Sequence, residues 1–542
     1  MISDKTYLAY PNMPYRSQRQ PVYAAKGMVT TSQPLAAQAG LSILQQGGNA
    51  VDAAIATSIV LTVVEPASCG IGGDLFAIVW DGDKLHGLNG SGRAPQALSG
   101  AQIRGMGYEE MPSDGWLAAT VPGAPAAWAE LHDKLGRLPF AKLFETAIDY
   151  ARNGYPVAEV ARYDWEWAFI KFQQSLTSQQ LTHLAALYAP QGHAPQAGEM
   201  WASSKMAETL QQIAESNGES FYRGELARAM VDFAQANGGY FTLADFAQHE
   251  TSWVEPISTN YRGYDVWEIP PNGQGLTALL ALNILEAMGV HEQPRDTLTS
   301  YHWQIEAMKL AFADAQKYLA DPDYMTTPVA ALLSKDYGQQ RASLIGEKAL
   351  QPEAGTPGHG DTVYLCAADS EGMMVSLITS TYSSFGSGIV VPELGVAFQN
   401  RGAGFSLEAG HVNEYEGGKR PFHTIIPGFL THQGQPVGPF GVMGGHMQPQ
   451  GHVQMMLNTI DYGLNPQASL DAPRWYWHAD KYIKVEPHTP QAVVDGLIAK
   501  GHEVEVDSDL DVFGNGQIIW RLPNGVYVAG TDGRADGNAL GY

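Results

Sequence analysis

The stretch Gly358-His359-Gly360-Asp361-Thr362-Val363-Tyr364-Leu365-Cys366-Ala367-Ala368 is a flexible glycine run that feeds directly into a β-rich run opened by threonine. Residues 373–379 (MMVSLIT) make a second such run, and Asp369-Ser370-Glu371-Gly372 between them is a four-residue hairpin connection. Taken alone, Thr362 is ordinary, because β propensity explains a β-branched residue at the head of a strand. The same texture continues downstream in short runs at 388–391, 395–399, 425–430, 517–521 and 526–529, so the last third is expected to carry most of the sheet. Upstream the period changes. Residues 35–45 (LAAQAGLSILQ) have helical spacing closed by Gly47-Gly48, and 50–64 opens a second helix, which together predict a helical hairpin. Apolar residues recur every 3.6 positions at 123–135, 139–154, 206–216, 226–237, 276–288 and 298–319, so the first two thirds read as helix-rich. Residues 173–199, rich in Gln and Ala and carrying two prolines, read as a surface excursion.

With 542 residues, 44% hydrophobic and only 16% charged, the chain has the balance of a globular protein with a large core, which excludes disorder as its main state. Turn residues are spread along the length and mark no clean domain boundary. The net charge of −24 repels phosphate backbones and anionic lipid, so nucleic acid and membrane surfaces are discounted as partners. Two cysteines, Cys69 and Cys366, build neither a disulfide framework nor a multi-thiolate metal site. Residues 1–23 lack the apolar core of a secretory signal, and the longest apolar run, 53–64, is 12 residues where a membrane span needs about 20. A reducing, cytoplasmic location is the expectation.

The patterns GxSxG, HExxH, GxxxxGK[ST] and a strand-linked GxGxxG are absent. His446 and His452, six residues apart in a glycine-rich stretch read as a loop, match no standard metal-ligand spacing. No metal and no organic cofactor is expected.

Residues 27–54 (GMVTTSQPLAAQAGLSILQQGGNAVDAA), Val64-Glu65-Pro66, 70–76 (GIGGDLF), Val121-Pro122-Gly123, Tyr261-Arg262-Gly263, 270–275 (PPNGQG), 306–314 (EAMKLAFAD), Asp321-Pro322, Phe385-Gly386, Lys419-Arg420-Pro421, Gly444-Gly445 and 532–542 follow one another along the chain. In this order they strongly resemble the γ-glutamyltransferase family of N-terminal-nucleophile hydrolases, from Gly27 to the end. The resemblance implies an α+β fold, a four-layer αββα sandwich with one shared core. It also implies a precursor that cuts itself between Asp361 and Thr362 into 1–361 and 362–542, the second piece carrying Thr362 as nucleophile. The Thr hydroxyl would attack the preceding carbonyl, an ester would form by N-to-O acyl shift, and water would release an α-amine able to act as general base. Glycines before Asp361 would ease the strained conformation of that peptide.

By the same resemblance Gly444 and Gly445 supply backbone N–H groups to an oxyanion, and Ser380 stands where the family has a nucleophile-positioning threonine. Departures bear on the substrate. The family's arginine for the γ-glutamyl α-carboxylate falls at Ser91, with Arg93 two residues away. Its aspartate for the α-amine falls at Gly404, Arg401 stands nearby, Tyr382 replaces an asparagine, and His423-Thr424 replace a serine pair. A missing carboxylate leaves an ammonium without its counter-charge, which costs several kcal/mol in a closed pocket and argues against tight γ-glutamyl recognition. Arg93, Tyr382, Arg401, His423 and Thr424 are the candidate substrate-binding residues, with Arg93, Arg401 and His423 candidates for an anionic group. The short segment 405–419 suggests an open site without the family's lid.

The expected activity is amide hydrolysis or acyl transfer on a γ-glutamyl compound such as glutathione or on a related small amide. An acylase or oxamate-type amidohydrolase is the alternative. A ligand-binding relic that is never processed is the non-enzymatic alternative, against which the threonine, the glycine pair and the glycine-rich approach count together. The expected partners are the small amide and the two chains of one precursor, with a homodimer of that unit left open.

Overall fold

Alternation along the strand Asp361–Ala368 sends its side chains into two different interiors. Val363, Leu365 and Ala367 join one apolar cluster, whereas Tyr364, Cys366 and Ala368 join another. The computed structural model, which describes residues 19–351 and 361–542, shows that these interiors are the two faces of a seven-stranded sheet. Across that sheet the strands run Asn538–Gly541, Met28–Thr31, Asp361–Ala368, Met374–Tyr382, Asp74–Trp80, Leu85–Gly90 and Ser252–Val254. A second sheet of seven strands runs Val22–Ala24, Tyr527–Thr531, Gly516–Arg521, Gln435–Val442, Gly428–His432, Tyr264–Glu268 and Ile257–Tyr261. Tyr364, Phe76 and Ile378 of the first sheet share one apolar cluster with Phe429, Ile519 and Tyr527 of the second, so the sheets stack face to face.

Helices cover both outer faces. Val363, Leu75 and Leu377 pack with the helix Ala50–Val64, and Phe440, Ile518 and Val528 pack with Gly275–Met288 and Leu298–Tyr318. The order is helix, sheet, sheet, helix, the expected αββα sandwich. Every residue of Ala50–Val64 is buried. Such a helix has no polar face to orient it, and its start is set by Asn49, which caps Asp52 N–H while the Asp52 carboxylate accepts from Asn49 N–H. Burying each Val, Leu or Ile of this helix contributes about 1.5–3 kcal/mol.

The predicted hairpin is present: Asp361–Ala368 pairs antiparallel with Met374–Tyr382. Twelve of the 21 strands among the described residues follow residue 360, so the last third does carry most of the sheet, although four of the seven strands of the first sheet precede residue 260. Other expectations are corrected. The run 139–154 divides into a 3₁₀ turn Phe140–Phe144 and the helix Glu145–Asn153. Residues 173–199 are more than an excursion: Thr177 and Gln180 cap the helix Ser178–Tyr188, which buries Leu184, Leu187 and Tyr188. The residues after the glycine pair form the helix Met447–Met456, where a loop was expected. Gly358, His359 and Gly360 lie outside the described residues. Among the described residues no helix is long and apolar enough to cross a membrane, and Cys69 and Cys366 are free and buried.

Candidate active site

The ladder between Asp361–Ala368 and Met374–Tyr382 is regular up to Val363 opposite Thr379, then slips so that Asp361 faces Tyr382. Such a bulge re-aims a side chain at the end of a strand. The residue re-aimed is Thr362, fully buried in the single chain. Its hydroxyl donates to Ser380 Oγ at 3.1 Å, and Ser380 Oγ also accepts Tyr382 N–H at 2.8 Å. Tyr382 holds φ +82°, a conformation costly for a bulky residue, which turns the chain away at the strand end. Gln448 approaches from the opposite side. Its Nε2 lies 3.5 Å from Thr362 Oγ1, a long contact, while its Oε1 accepts Ile426 N–H at 2.9 Å.

Gly444 and Gly445 have φ +122° and +57°, backbone that disfavours any side chain, and they turn the strand Gln435–Val442 into the helix Met447–Met456. Their carbonyls accept from Met447 and Gln448 N–H. Gln274 Nε2 donates both to Gly445 O at 2.9 Å and to Thr424 O at 2.6 Å, which ties the glycine turn to the segment bearing His423 and Thr424.

The polar wall is built around Asp74. Asp74 Oδ1 accepts Gly92 N–H, Gly123 N–H and Gln399 Nε2, and Oδ2 accepts His423 Nε2 at 2.9 Å. Burial pushes the Asp74 carboxyl up to about 7, against the pull of Arg401 and of the donors from Gly92, Gln399 and Gly123. His423 Nδ1 accepts Ile425 N–H, so the two contacts fix its tautomer. Burial, with Arg401 and Arg420, holds its pKa well below the usual range, so the imidazole is neutral. Arg401, 1% exposed, donates from Nη1 to Thr424 Oγ1 at 2.6 Å and stacks on the Tyr382 ring, 4.7 Å from its centroid.

The structure thus brings Thr362, Ser380, Tyr382, Arg401, His423, Thr424, Gly444 and Gly445 into one linked cluster. Arg93 is committed elsewhere, to Asp321 at 3.3 Å and Gly418 O at 2.9 Å, with its side chain 39% exposed. At Gly404, a Cβ would stand 2.5 Å from Phe422 O, so an aspartate does not fit there without movement of the backbone. Asp74, Gln399, Gln274 and Gln448 escaped the reading from sequence. Asp74 was visible within GIGGDLF without a role, and Gln448 was hidden by reading its helix as a loop.

His446 and His452 share no metal-ligand group; His452 Nδ1 instead meets Glu268 Oε1 at 2.6 Å. His302, Glu306 and His502, all buried, do have ligand atoms within 4.8 Å of one another. Lys309 Nζ already sits 2.8 Å from Glu306 Oε1, and its charge opposes a cation there. The group works as a clasp. His302 Nε2 meets Gly346 O, Glu306 Oε2 accepts Leu350 N–H, and Lys309 Nζ donates to Leu350 O, which fixes 346–350 against the helix Leu298–Tyr318.

Comparison with known proteins adds the lineage. A family model described as gamma-glutamyltranspeptidase matches residues 36–542. The chain is 38% identical to the glutathione hydrolase-like YwrD proenzyme of Bacillus subtilis, over 96% of this chain and 99% of that one. It is 33% identical to the oxamate amidohydrolase proenzyme of Klebsiella pneumoniae, over 95% and 98%. A crystal structure of cephalosporin acylase from Bacillus halodurans superposes with a TM-score of 0.95 at 54% identity, covering 98% of this chain and 99% of that one. A family match that runs through the strand Asp361–Ala368 to the last residue, on the sandwich described above, means that this chain belongs to the gamma-glutamyltranspeptidase family and is an enzyme of its N-terminal-nucleophile hydrolase kind.

Proposed function

We propose that the chain is a self-processing amide hydrolase or acyltransferase in which Thr362 is first the agent of its own release and then the nucleophile. The observation that carries this reading is the Thr362 hydroxyl at a bulged strand end, donating to Ser380 Oγ and approached by Gln448. In the first step Thr362 Oγ1 attacks the Asp361 carbonyl carbon, the peptide C–N bond breaks as the ester forms and leaves the Thr362 α-amine free, and water hydrolyses the ester to give the Asp361 carboxylate and the Thr362 hydroxyl. Residues 1–361 and 362–542 then share the sandwich. In the second step the amine takes the hydroxyl proton, Oγ1 attacks a substrate amide carbonyl, and N–H groups of the Gly444-Gly445 turn stabilise the oxyanion. The leaving amine takes up the proton, and water or a second amine collects the acyl group.

Thr362 is buried in the single chain, which supports cleavage as a condition of substrate access. Relatives named as a glutathione hydrolase-like protein, an oxamate amidohydrolase and an acylase support a small amide as substrate, with γ-glutamyl compounds such as glutathione one member of that class. The test is direct. Purified Thr362→Ala is expected to remain one band near 58.5 kDa, whereas the native chain separates into two. Normal processing of that variant places the nucleophile elsewhere.

A further inference from the structure

The cations around this site differ in how completely their N–H groups are used. Arg93 is bonded to Asp321 and Gly418 O. Lys419 Nζ donates to Val412 O and Glu414 O. Arg420 donates to Ser91 O, Glu250 O and Ser252 Oγ. Arg401, the most deeply buried of the four, uses only Nη1, on Thr424; its Nε and Nη2 meet no hydrogen-bond partner among the described residues. Nor does a carboxylate bond it. Asp74 is the nearby acid, and its two oxygens already accept from Gly92, Gly123, Gln399 and His423. Burial draws the Arg401 pKa down only to about 10, so the guanidinium stays charged. A buried cation with two idle donors is costly unless something negative completes it, and paired N–H groups of a guanidinium suit the two oxygens of a carboxylate.

Arg401 is also linked to the reacting group. It stacks on Tyr382, whose N–H is held by Ser380 Oγ, the acceptor of the Thr362 hydroxyl. We infer that Arg401 binds a carboxylate at the far end of the acyl group, so that the substrates are small monoamides of dicarboxylic acids with no ammonium beside that carboxylate. The inference rests on Thr362 as the nucleophile. Thr424 stands next to Arg401, Gly404 has no room for an acid, and both oxygens of the nearby Asp74 already accept from other groups, so no side chain described around the guanidinium has a carboxylate oxygen left for an ammonium. Hydrolysis then runs from monoamide and water to dicarboxylate and ammonia: Thr362 Oγ1 bonds the amide carbon, the C–N bond breaks, the hydroxyl proton leaves with the nitrogen, and water releases the acid.

The test uses the self-cleaved protein with oxamate, succinamate and glutaramate, their neutral diamides, and glutamine, which is glutaramate with an α-ammonium. Ammonia release gives kcat/KM, and the mass of the acid-quenched small chain reports acylation of Thr362. The best monoamide is expected to exceed its diamide at least 100-fold, and glutaramate to exceed glutamine at least tenfold. Arg401→Gln is expected to bring the first ratio below ten, while Arg401→Lys retains part of it. Diamides that match their monoamides, glutamine that equals glutaramate, or an undiminished ratio in Arg401→Gln overturns the inference, while acylation of Thr362 by those amides leaves the nucleophile standing. If Arg401→Gln does not fold, the native ratios and Arg401→Lys decide. No acylation by any of these amides in protein that has cleaved itself before Thr362 overturns the inference and leaves the nucleophile to the processing test.

Discussion

Gln448 touches Thr362 and the backbone at once, so its two bonds make separable demands on the molecule. Replacement by methionine keeps the volume and removes both. Loss of the donor to Thr362 Oγ1 is worth about 1 kcal/mol, or roughly fivefold, in the rate of Thr362 acylation measured over a single turnover. Loss of the acceptor strands the buried Ile426 N–H and is expected to lower stability by about 1–3 kcal/mol in denaturant. A stability loss with an unchanged acylation rate makes Gln448 a scaffold residue only. At this scale the sequence was readable where a local pattern decides: β propensity places Thr362 in a strand, and Gly444 and Gly445 hold φ values of +122° and +57° that favour glycine. It was unreadable for Asp74 and Gln448, whose importance lies in partners far along the chain, His423 for Asp74 and Ile426 and Thr362 for Gln448. His423 shows the same limit in reverse. Its residue type suggested an anion ligand, yet both ring nitrogens are taken, by Asp74 and by Ile425.

Elements with strong periodicity were legible almost to the residue. The helix read at 298–319 is Leu298–Tyr318, and that at 276–288 is Gly275–Met288. What stayed hidden were segments whose pattern serves two structures equally. Asp74–Trp80 (DLFAIVW) is a short apolar run with no alternation, because both its faces are buried in the sandwich. Ser178–Tyr188 is a helix capped by Thr177 and Gln180, but Gln-rich composition and the nearby Pro190 and Pro195 make it read as a loop. The helix Leu298–Tyr318 does more than pack. Glu306 and Lys309, fully buried and one turn apart, hold Leu350 by both its N–H and its carbonyl, shortly before the strand Asp361–Ala368 in the sequence. Glu306→Gln leaves the Lys309 ammonium buried and unpaired, so a loss of about 3–5 kcal/mol is expected in urea unfolding. Replacing both by leucine and methionine should cost less than that, since no charge is then left alone; an equal or larger cost in the double variant contradicts this account of the pair.

Across the whole molecule the buried ionisable groups oppose one another in pH. Burial holds His249 and His502 down to about 3 and His423 well below its ordinary value, so the folded chain keeps them neutral while the unfolded chain protonates them near 6.5. Their contribution is complete above pH 6.5 and is lost as pH falls from there toward 3, because the unfolded state then binds more protons. Glu65 acts in the other sense. Burial raises its carboxyl to about 8, against the Ser32 hydroxyl that donates to it, so the folded chain keeps a proton that the unfolded chain releases near 4.5. That contribution is complete below pH 4.5 and is lost as pH rises through 8. His302 and His478 are held down in the same sense and Glu268, Asp314 and Asp536 are pushed up, so the two sets offset one another between pH 4.5 and 6.5, whereas above 6.5 Glu65 and Asp74 act without the histidines. The melting temperature is therefore expected to decline from pH 6.5 toward pH 8. Glu65→Gln keeps an acceptor for Ser32 and removes the titration, so calorimetry of this variant should show a shallower decline between pH 6.5 and 8 and, between pH 4.5 and 6.5, a slope more positive than that of the native chain. An alkaline decline as steep as that of the native chain would mean that Glu65 does not hold its proton in the fold.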